Sequence, residues 1–162
     1  MSNWNRALSL DNSKILGIIN LSNDSFSGDG VFNKDAKLNN LLNSAKQKNI
    51  NFIDVGCAST KPGFDNVTTE EEIKRLNYFT NINQDKFSFS IDSFNPIVTK
   101  HAVENNFEII NDVSGFIKEE MIRIAVDSKS KIILVHRHPK SKSLHQKMIC
   151  LLYTSPSPRD RF

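Results

Sequence analysis

The stretch FSFSIDSFNPIVTKHAVENNFEIINDVSG, residues 87–115, carries the pattern that decides the fold. Its first residues, Phe87–Ile91, predict a β-strand that runs into the polar Asp92. Pro96 suits the first turn of a helix, and Asn105–Asn106 suits its end, where a left-handed residue often caps the last turn. Glu108–Ile110 then predicts a second strand. A strand, a helix and a strand in such a short stretch indicate a βαβ unit with parallel strands.

The same alternation extends outward from this unit in both directions. Ile15–Asn20 (ILGIIN) is a continuous apolar run that ends in a polar loop, as expected for a strand buried on both faces. Thr69–Glu72 (TEEE) predicts a capping box that opens a helix running to about Asn83. The remaining predicted elements are a helix over Asp35–Lys48, a strand over Phe52–Val55, a helix over Ile117–Val126 and a strand over Ile132–Val135.

Strict alternation of strands and helices predicts an α/β fold with a parallel sheet and right-handed crossovers. Two architectures fit, an open doubly wound sheet and the first half of an eight-stranded (β/α)8 TIM barrel. Polar residues end four successive strands, and in a barrel such ends converge on one mouth, whereas in an open sheet only the loops at the switch point cooperate. These are Asn20, Gly56–Thr60, Asp92 and Asn111–Asp112. The sequence therefore favours a TIM barrel, of which it carries about the first five strands and four helices.

Composition excludes several classes of function. The chain has 162 residues, 24% of them charged, and a net charge of +3 without a strong basic cluster, so nucleic-acid binding is not expected. Two cysteines, Cys57 and Cys150, give neither a disulfide framework nor metal-ligand spacing. No apolar run is long enough for a membrane span, and the polar start lacks a signal peptide. We expect a cytoplasmic protein with no membrane partner.

Each polar strand end also has a purely structural interpretation. Asn20 could cap a loop, Asp92 could cap the following helix, and Asn111–Asp112 could pair with the backbone of the next loop. His136 and His138 flank Arg137, but without a third ligand they do not indicate a metal site. Taken singly, these residues do not decide between structure and chemistry.

Taken together, the segments resemble the signatures of the dihydropteroate synthase family. GIINLSNDSFSGDG, from Gly17, is similar to the first signature, G-I-L-N-V-T-P-D-S-F-S-D-G-G, and FIDVGCASTKPG, from Phe52, to the second, I-I-D-I-G-G-E-S-T-R-P-G. SIDSFNPIV, EIINDVSG and ILVHRHP resemble the third, fourth and fifth strand ends. Their order and spacing agree over about 120 residues.

The resemblance implies a TIM barrel that joins 7,8-dihydropterin-6-ylmethyl diphosphate to 4-aminobenzoate and releases pyrophosphate. It implies Mg2+ as cofactor, held near Asn20, whose side-chain oxygen is a suitable hard ligand. It implies that Asp92 and Asn111 bind the pterin ring. His136 matches a further substrate-binding position.

The loops that follow the first two strands match positions that the family uses to exclude water and shape the aminobenzoate pocket. The resemblance assigns catalytic roles to Phe26, Asp29, Thr60 and Lys61. It assigns substrate binding to Ser59, Thr60 and Pro62.

The chain departs from the family pattern at several loop positions. Asn23 replaces a proline, the order Gly28-Asp29-Gly30 displaces a carboxylate by one position, and Cys57-Ala58 replaces Gly-Glu. Lys61 replaces an arginine, which keeps the charge but loses the bidentate fork. The family's later motifs do not occur in this chain, so we expect the chain to be inactive on its own.

The last residues differ in composition from the rest. All 51 Asn, Lys and Ile residues precede Cys150, and Cys150–Asp160 (CLLYTSPSPRD) resembles a translated transposase-type sequencing adaptor, although a natural Ser/Pro-rich tail is the alternative. We therefore expect an N-terminal extension at 1–13, a partial pterin-binding domain at 14–149 and a non-native tail at 150–162.

Two other functions stay open at this point. One is a pterin-binding barrel of the methyltransferase type, and the other is a pterin-binding fragment with no chemistry of its own. For a full-length protein, a homodimer is one open arrangement.

Overall fold

Five β-strands alternate with four α-helices in the computed structural model, which describes residues 15–22, 30–58, 67–82 and 87–134. Strands β1 to β5 span Leu16–Asn20, Phe52–Gly56, Ser88–Asp92, Ile109–Asp112 and Lys131–Leu134. Helices α1 to α4 span Asp35–Gln47, Thr69–Thr80, Pro96–Glu104 and Glu119–Ser128. The predicted alternation is confirmed. The expected extension at 1–13 and tail at 150–162 lie outside the described residues.

The order of the strands decides between the two architectures. All neighbouring strands pair in parallel, and their order in the sheet is β1-β2-β3-β4-β5. A doubly wound sheet reverses its order at a switch point, and no reversal occurs among the described strands. Successive right-handed crossovers in one direction place the helices on one face, where α2 packs against α3 and α3 against α4. The structure is that of the first part of a (β/α)8 barrel.

The apolar core lies between the sheet and the helices. Alternate strand residues such as Ile53, Val55 and Ile91 are buried in this core. Phe79 of α2 is buried there too and packs edge-on against Phe89 of β3. Burying such side chains contributes about 1.5–3 kcal/mol each. The other face of the same strands carries Asp54, Ser90, Asp92 and Asn111, which follow from the two-residue period of a strand. That polar face is the candidate site.

Helix α2 begins one residue away from the predicted capping box. The residue that caps it is Thr68, whose Oγ1 accepts a hydrogen bond from the Glu71 backbone N–H at 3.3 Å. The cap residue is therefore Thr68 and not the predicted Thr69, and the Glu71 side chain pairs instead with Lys74 and Arg75. The helix ends at Thr80, with Asn81 as its cap residue, three residues before the expected end near Asn83.

Helices α3 and α4 show how short side chains and left-handed residues set helix ends. The Asn95 side chain caps α3 by accepting from the Ile97 N–H at 3.1 Å, and Asn106 (φ 66°) confirms the predicted left-handed residue after the helix. Helix α4 begins two residues later than expected, at Glu119, because a turn with Phe116 at φ 58° precedes it, and Lys129 at φ 55° ends it. None of the described helices is both long and apolar enough to cross a membrane.

Candidate functional site

Four strand ends, three of them with polar side chains, lie side by side at the carboxyl edge of the sheet. The strand register pairs Asn20 with Gly56, Gly56 with Asp92, and Asp92 with Asn111. Three of the predicted site residues, Asn20, Asp92 and Asn111, are therefore brought into one row, which we call the strand-end row together with Gly56.

Gly56 provides room between two polar side chains of this row. A Cβ atom at this position would lie 3.3 Å from Asn20 Oδ1 and 3.7 Å from Asp92 Oδ2. The first distance is tighter than an ordinary van der Waals contact, so any side chain at Gly56 would push against the Asn20 amide. The glycine keeps the space between Asn20 and Asp92 open to a ligand.

Asp54 lies two residues before Gly56, on the same face of β2, and the sequence prediction missed it. Its side chain is only 5% exposed, and its Oδ2 accepts a hydrogen bond from Asn111 Nδ2 at 2.9 Å. The other amide atom, Asn111 Oδ1, is buried and has no hydrogen-bond partner among the described residues. A buried acceptor without a partner is costly unless a ligand satisfies it.

Burial and mutual repulsion make this part of the site unusual electrostatically. Burial, followed by the charges of Asp54 and Asp112, raises the pKa of Asp92 to about 7. Burial also raises the pKa of Asp54, and the Ser90 and Asn111 side chains beside it partly oppose that rise. Carboxylates with raised pKa values at a strand end are typical of functional sites, since structure alone does not require them.

The structure shows which of the polar residues at the strand ends have a purely structural role. Asp92 does not cap α3, because Asn95 does so. Asp112, next to Asn111, faces the other side of the strand and builds the following turn by accepting from the Ser114 N–H at 2.7 Å and the Phe116 N–H at 3.0 Å. Of the Asn111–Asp112 pair, only Asn111 faces the strand-end row.

A second residue missed by the sequence prediction is Arg75 of α2. Its guanidinium is buried, and Nη1 donates to the backbone oxygen of Cys57, the first residue after β2, at 2.9 Å. Its Nε donates to Glu71 Oε1 at 3.2 Å, and its Cζ lies 5.7 Å from the centre of the Phe32 ring. Arg75 thus ties the exit of β2 to the segment that leads into α1.

Backbone hydrogen bonds hold the same strand exits. The Leu21 N–H donates to the Gly56 oxygen at 2.7 Å, and the Val31 N–H donates to the Asn20 oxygen at 3.1 Å. The Cys57 thiol is fully buried, and burial together with the Glu72 charge raises its pKa to about 12. Cys57 is therefore a protonated packing residue. The backbone hydrogen bonds after β1 and β2 hold the strand-end row in place.

Seven of the predicted site residues fall outside the described residues. They are Phe26, Asp29, Ser59, Thr60, Lys61, Pro62 and His136. Their predicted roles stay predictions.

The described residues offer a divalent cation a partial site. Among them, no group of three or more His, Cys, Asp or Glu side chains is arranged to hold a metal ion. Mg2+ commonly takes one or two protein oxygens and completes its shell with water and substrate phosphate. Asn20 Oδ1 lies beside the space that Gly56 leaves open and could supply one such oxygen ligand. The remaining ligands of Mg2+ would then be water and substrate phosphate.

Comparison with known proteins gives a consistent result. The chain matches the family described as pterin binding enzyme over residues 16–150. It is 35% identical over 126 residues to a dihydropteroate synthase type-3 from Escherichia coli, an alignment that covers 76% of this chain and 48% of that protein.

Solved structures show the same similarity. The 7,8-dihydropteroate synthase from Vibrio fischeri ES114 superimposes with a TM-score of 0.62 at 30% identity, covering 86% of this chain and 51% of that one. The dihydropteroate synthase from Anaplasma phagocytophilum with bound 6-hydroxymethylpterin-monophosphate gives 0.63 at 29% identity, covering 77% and 47%. The chain spans about half the length of these relatives.

Proposed function

Because the chain belongs to the pterin binding enzyme family, we propose that the protein is a dihydropteroate synthase of folate biosynthesis. The reaction breaks the C–O bond between the pterin methylene carbon and the diphosphate. It forms a C–N bond to the amino group of 4-aminobenzoate and releases pyrophosphate and a proton. The proposal assigns pterin binding to the strand-end row and Asp54.

The observation that carries this proposal is the pairing of Asp92 with Asn111 at adjacent strand ends. Together they offer a carboxylate and an amide oxygen without a partner among the described residues. The aminopyrimidinone part of a pterin presents N–H groups along one edge, and such donors match these acceptors. A buried site built from acceptors rejects ligands that lack the donors, because its own polar groups are then left unpaired.

We assign Asn20 to the diphosphate end of the substrate. Mg2+, when bound, neutralises charge on the leaving pyrophosphate. Asn20 would supply one oxygen ligand, and Gly56 keeps the approach to it open. The distance from Asn20 to Asn111 along the row then separates the diphosphate end from the ring end.

The proposal also assigns roles to residues in the loops after β1 and β2. We assign Phe26, Asp29, Thr60 and Lys61 to catalysis, and Ser59, Pro62 and His136 to substrate binding together with Thr60. Asn20 and Cys57, which begin the two connections, are held by hydrogen bonds from Val31 and Arg75. We further propose a cytoplasmic protein, a homodimer at full length, and a pterin-binding domain over residues 14–149.

The test is product formation by a full-length protein that carries this segment. With pterin diphosphate, 4-aminobenzoate and Mg2+, we expect equal amounts of dihydropteroate and pyrophosphate, measured by mass spectrometry and a pyrophosphate assay. Consumption of methyltetrahydrofolate without dihydropteroate would indicate the methyltransferase type. Pterin binding with no product from either substrate set would refute the synthase assignment.

A further inference from the structure

We propose that Asp54 is a positioning residue that fixes the orientation of the Asn111 amide and thereby makes the site selective for a ligand N–H donor over an acceptor. This inference rests on the proposed pterin site. It concerns a residue that does not have to touch the ligand. Asp54 determines which atom of the Asn111 amide, the oxygen or the nitrogen, faces the ligand.

An amide side chain has two ends of similar size and opposite hydrogen-bonding character. Rotating the Asn111 amide by half a turn would exchange its donor and its acceptor. In the observed orientation Nδ2 donates to Asp54 Oδ2 at 2.9 Å. In the reversed orientation the amide oxygen would face the Asp54 carboxylate, and two acceptors would repel each other. An ionised carboxylate therefore permits one orientation only.

The consequence appears at the other end of the amide. Asn111 Oδ1 is buried and has no partner among the described residues. It is held ready to accept a hydrogen bond beside Asp92, its neighbour in the register. Asp92 also accepts when ionised, so an N–H group on the ligand is favoured at both positions. A ligand carbonyl at the Asn111 position would leave two buried acceptors facing each other.

The local packing supports a role beyond filling space. Asp54 is almost fully buried and lies across β3 from Asn111, above the small Ser90 side chain. Burying a carboxylate is costly, and an apolar residue of similar size would avoid that cost. The contact with the Asn111 amide gives Asp54 Oδ2 a partner, whereas Asp54 Oδ1 is buried without one among the described residues.

The test compares two probes that differ in one hydrogen-bonding group. They are 6-hydroxymethylpterin, which carries a 2-amino donor, and 6-hydroxymethyllumazine, which carries a 2-oxo acceptor in its place. In a full-length protein with this segment, we expect calorimetry to show at least about tenfold preference for the pterin. In Asp54→Asn, either amide orientation is allowed, and the preference should fall by about tenfold.

A matched control separates selectivity from general damage. Glu108→Gln makes the same carboxylate-to-amide change at the opposite end of the sheet, where Glu108 accepts from Ser88 Oγ at 3.2 Å. This variant should keep the pterin preference.

The double variant Asp54→Asn/Asn111→Asp exchanges donor and acceptor between the two positions. It should regain a preference for the pterin, because residue 111 again presents an acceptor.

The outcomes distinguish this proposal from the proposed function. If the unaltered protein binds neither probe, the pterin site itself is wrong. If it prefers the pterin and Asp54→Asn keeps that preference, Asp54 is not a positioning residue. If Asp54→Asn does not fold, as judged by circular dichroism, the double variant decides: a folded double variant without pterin preference overturns the proposal.

Discussion

Asn111 on β4 donates a hydrogen bond to Asp54 on β2, at 2.9 Å, across the strand that lies between them. In a flat sheet, two strands separated by a third lie about 9.5 Å apart, which is far for two short side chains. The contact therefore requires the sheet to curve towards its polar face, as it does in a barrel. The same curvature that closes the barrel assembles the site.

Binding of the pterin should depend on pH through Asp92. Its pKa is about 7, raised by burial and by the charges of Asp54 and Asp112. Protonation replaces a charged acceptor with a weaker neutral one for the ligand N–H, so affinity should fall as the pH falls through 7. Between pH 8 and pH 6 we expect a loss of about tenfold in calorimetric titrations of 6-hydroxymethylpterin. Asp92→Asn should bind weakly with little change over this range, and a pH profile shared by both proteins would contradict the assignment.

Asp92→Asn should also stabilise the folded protein at neutral and higher pH. The folded state holds the Asp92 proton more tightly than the unfolded state, so between about pH 4 and pH 7 stability is lost as the pH rises. Asp92→Asn has no carboxyl to ionise, so its stability should not fall in this way. We expect its free energy of unfolding, measured in urea, to exceed that of the unaltered protein by about 1–2 kcal/mol at pH 8 and to differ little below pH 4.

The exposed Asp127→Asn on α4 is the matched control for this measurement. It should change the free energy of unfolding by less than about 0.5 kcal/mol at either pH. A destabilised Asp92→Asn at pH 8 would mean that the carboxylate serves the fold.

Much of this architecture is predictable from the sequence because it depends on local patterns. The alternation of apolar runs with amphipathic stretches indicates all nine described elements, and Pro96 and Asn106 mark the ends of α3. The polar strand ends are predictable because the carboxyl ends of parallel strands share one edge. The choice of a barrel also follows, since four consecutive strands contribute polar ends.

The missed residues act through contacts that local patterns do not encode. Asp54 interrupts the otherwise apolar FIDVG strand, which is a signal, but its partner Asn111 is 57 residues away and is reached only across a curved sheet. Arg75 resembles an ordinary helical charge paired with Glu71, and its bond to the Cys57 oxygen depends on how α2 packs. Such contacts require the tertiary structure.

Gly56→Ala should affect the diphosphate end of the site more than the pterin end. The new Cβ would lie 3.3 Å from Asn20 Oδ1 and would displace that amide. In a full-length protein, the Mg2+ concentration needed for half-maximal activity should rise about tenfold. The affinity for 6-hydroxymethylpterin, which has no diphosphate, should change by less than about threefold.

Gly17→Ala is the control for a steric change on the neighbouring strand. Its Cβ would lie 3.0 Å from Ile53 Cδ1, in the core and away from the strand-end row. It should lower stability without changing the Mg2+ requirement. An equal change in the Mg2+ requirement of both variants would show that packing, and not the Asn20 amide, is responsible.

Arg75→Lys should destabilise the exit of β2 although it keeps the charge. A lysine ammonium lacks the planar fork that lets Arg75 donate to Cys57 and Glu71 together. We expect a loss of about 1–2 kcal/mol in urea unfolding, together with faster alkylation of the buried Cys57, followed by peptide mass spectrometry. Arg123→Lys, which replaces an exposed arginine paired with Glu119 on α4, should change neither quantity measurably.

The proposed function depends above all on pterin binding by Asp92 and Asn111 at the strand-end row. It is tested most directly by calorimetric titration of 6-hydroxymethylpterin into a full-length protein that carries this segment, into its Asp92→Asn variant and into Asp127→Asn. We predict that Asp92→Asn loses about 1.5–3 kcal/mol of binding free energy while its circular dichroism spectrum is unchanged, and that Asp127→Asn binds normally. Equal affinity of the unaltered protein and Asp92→Asn would show that Asp92 does not bind the pterin ring.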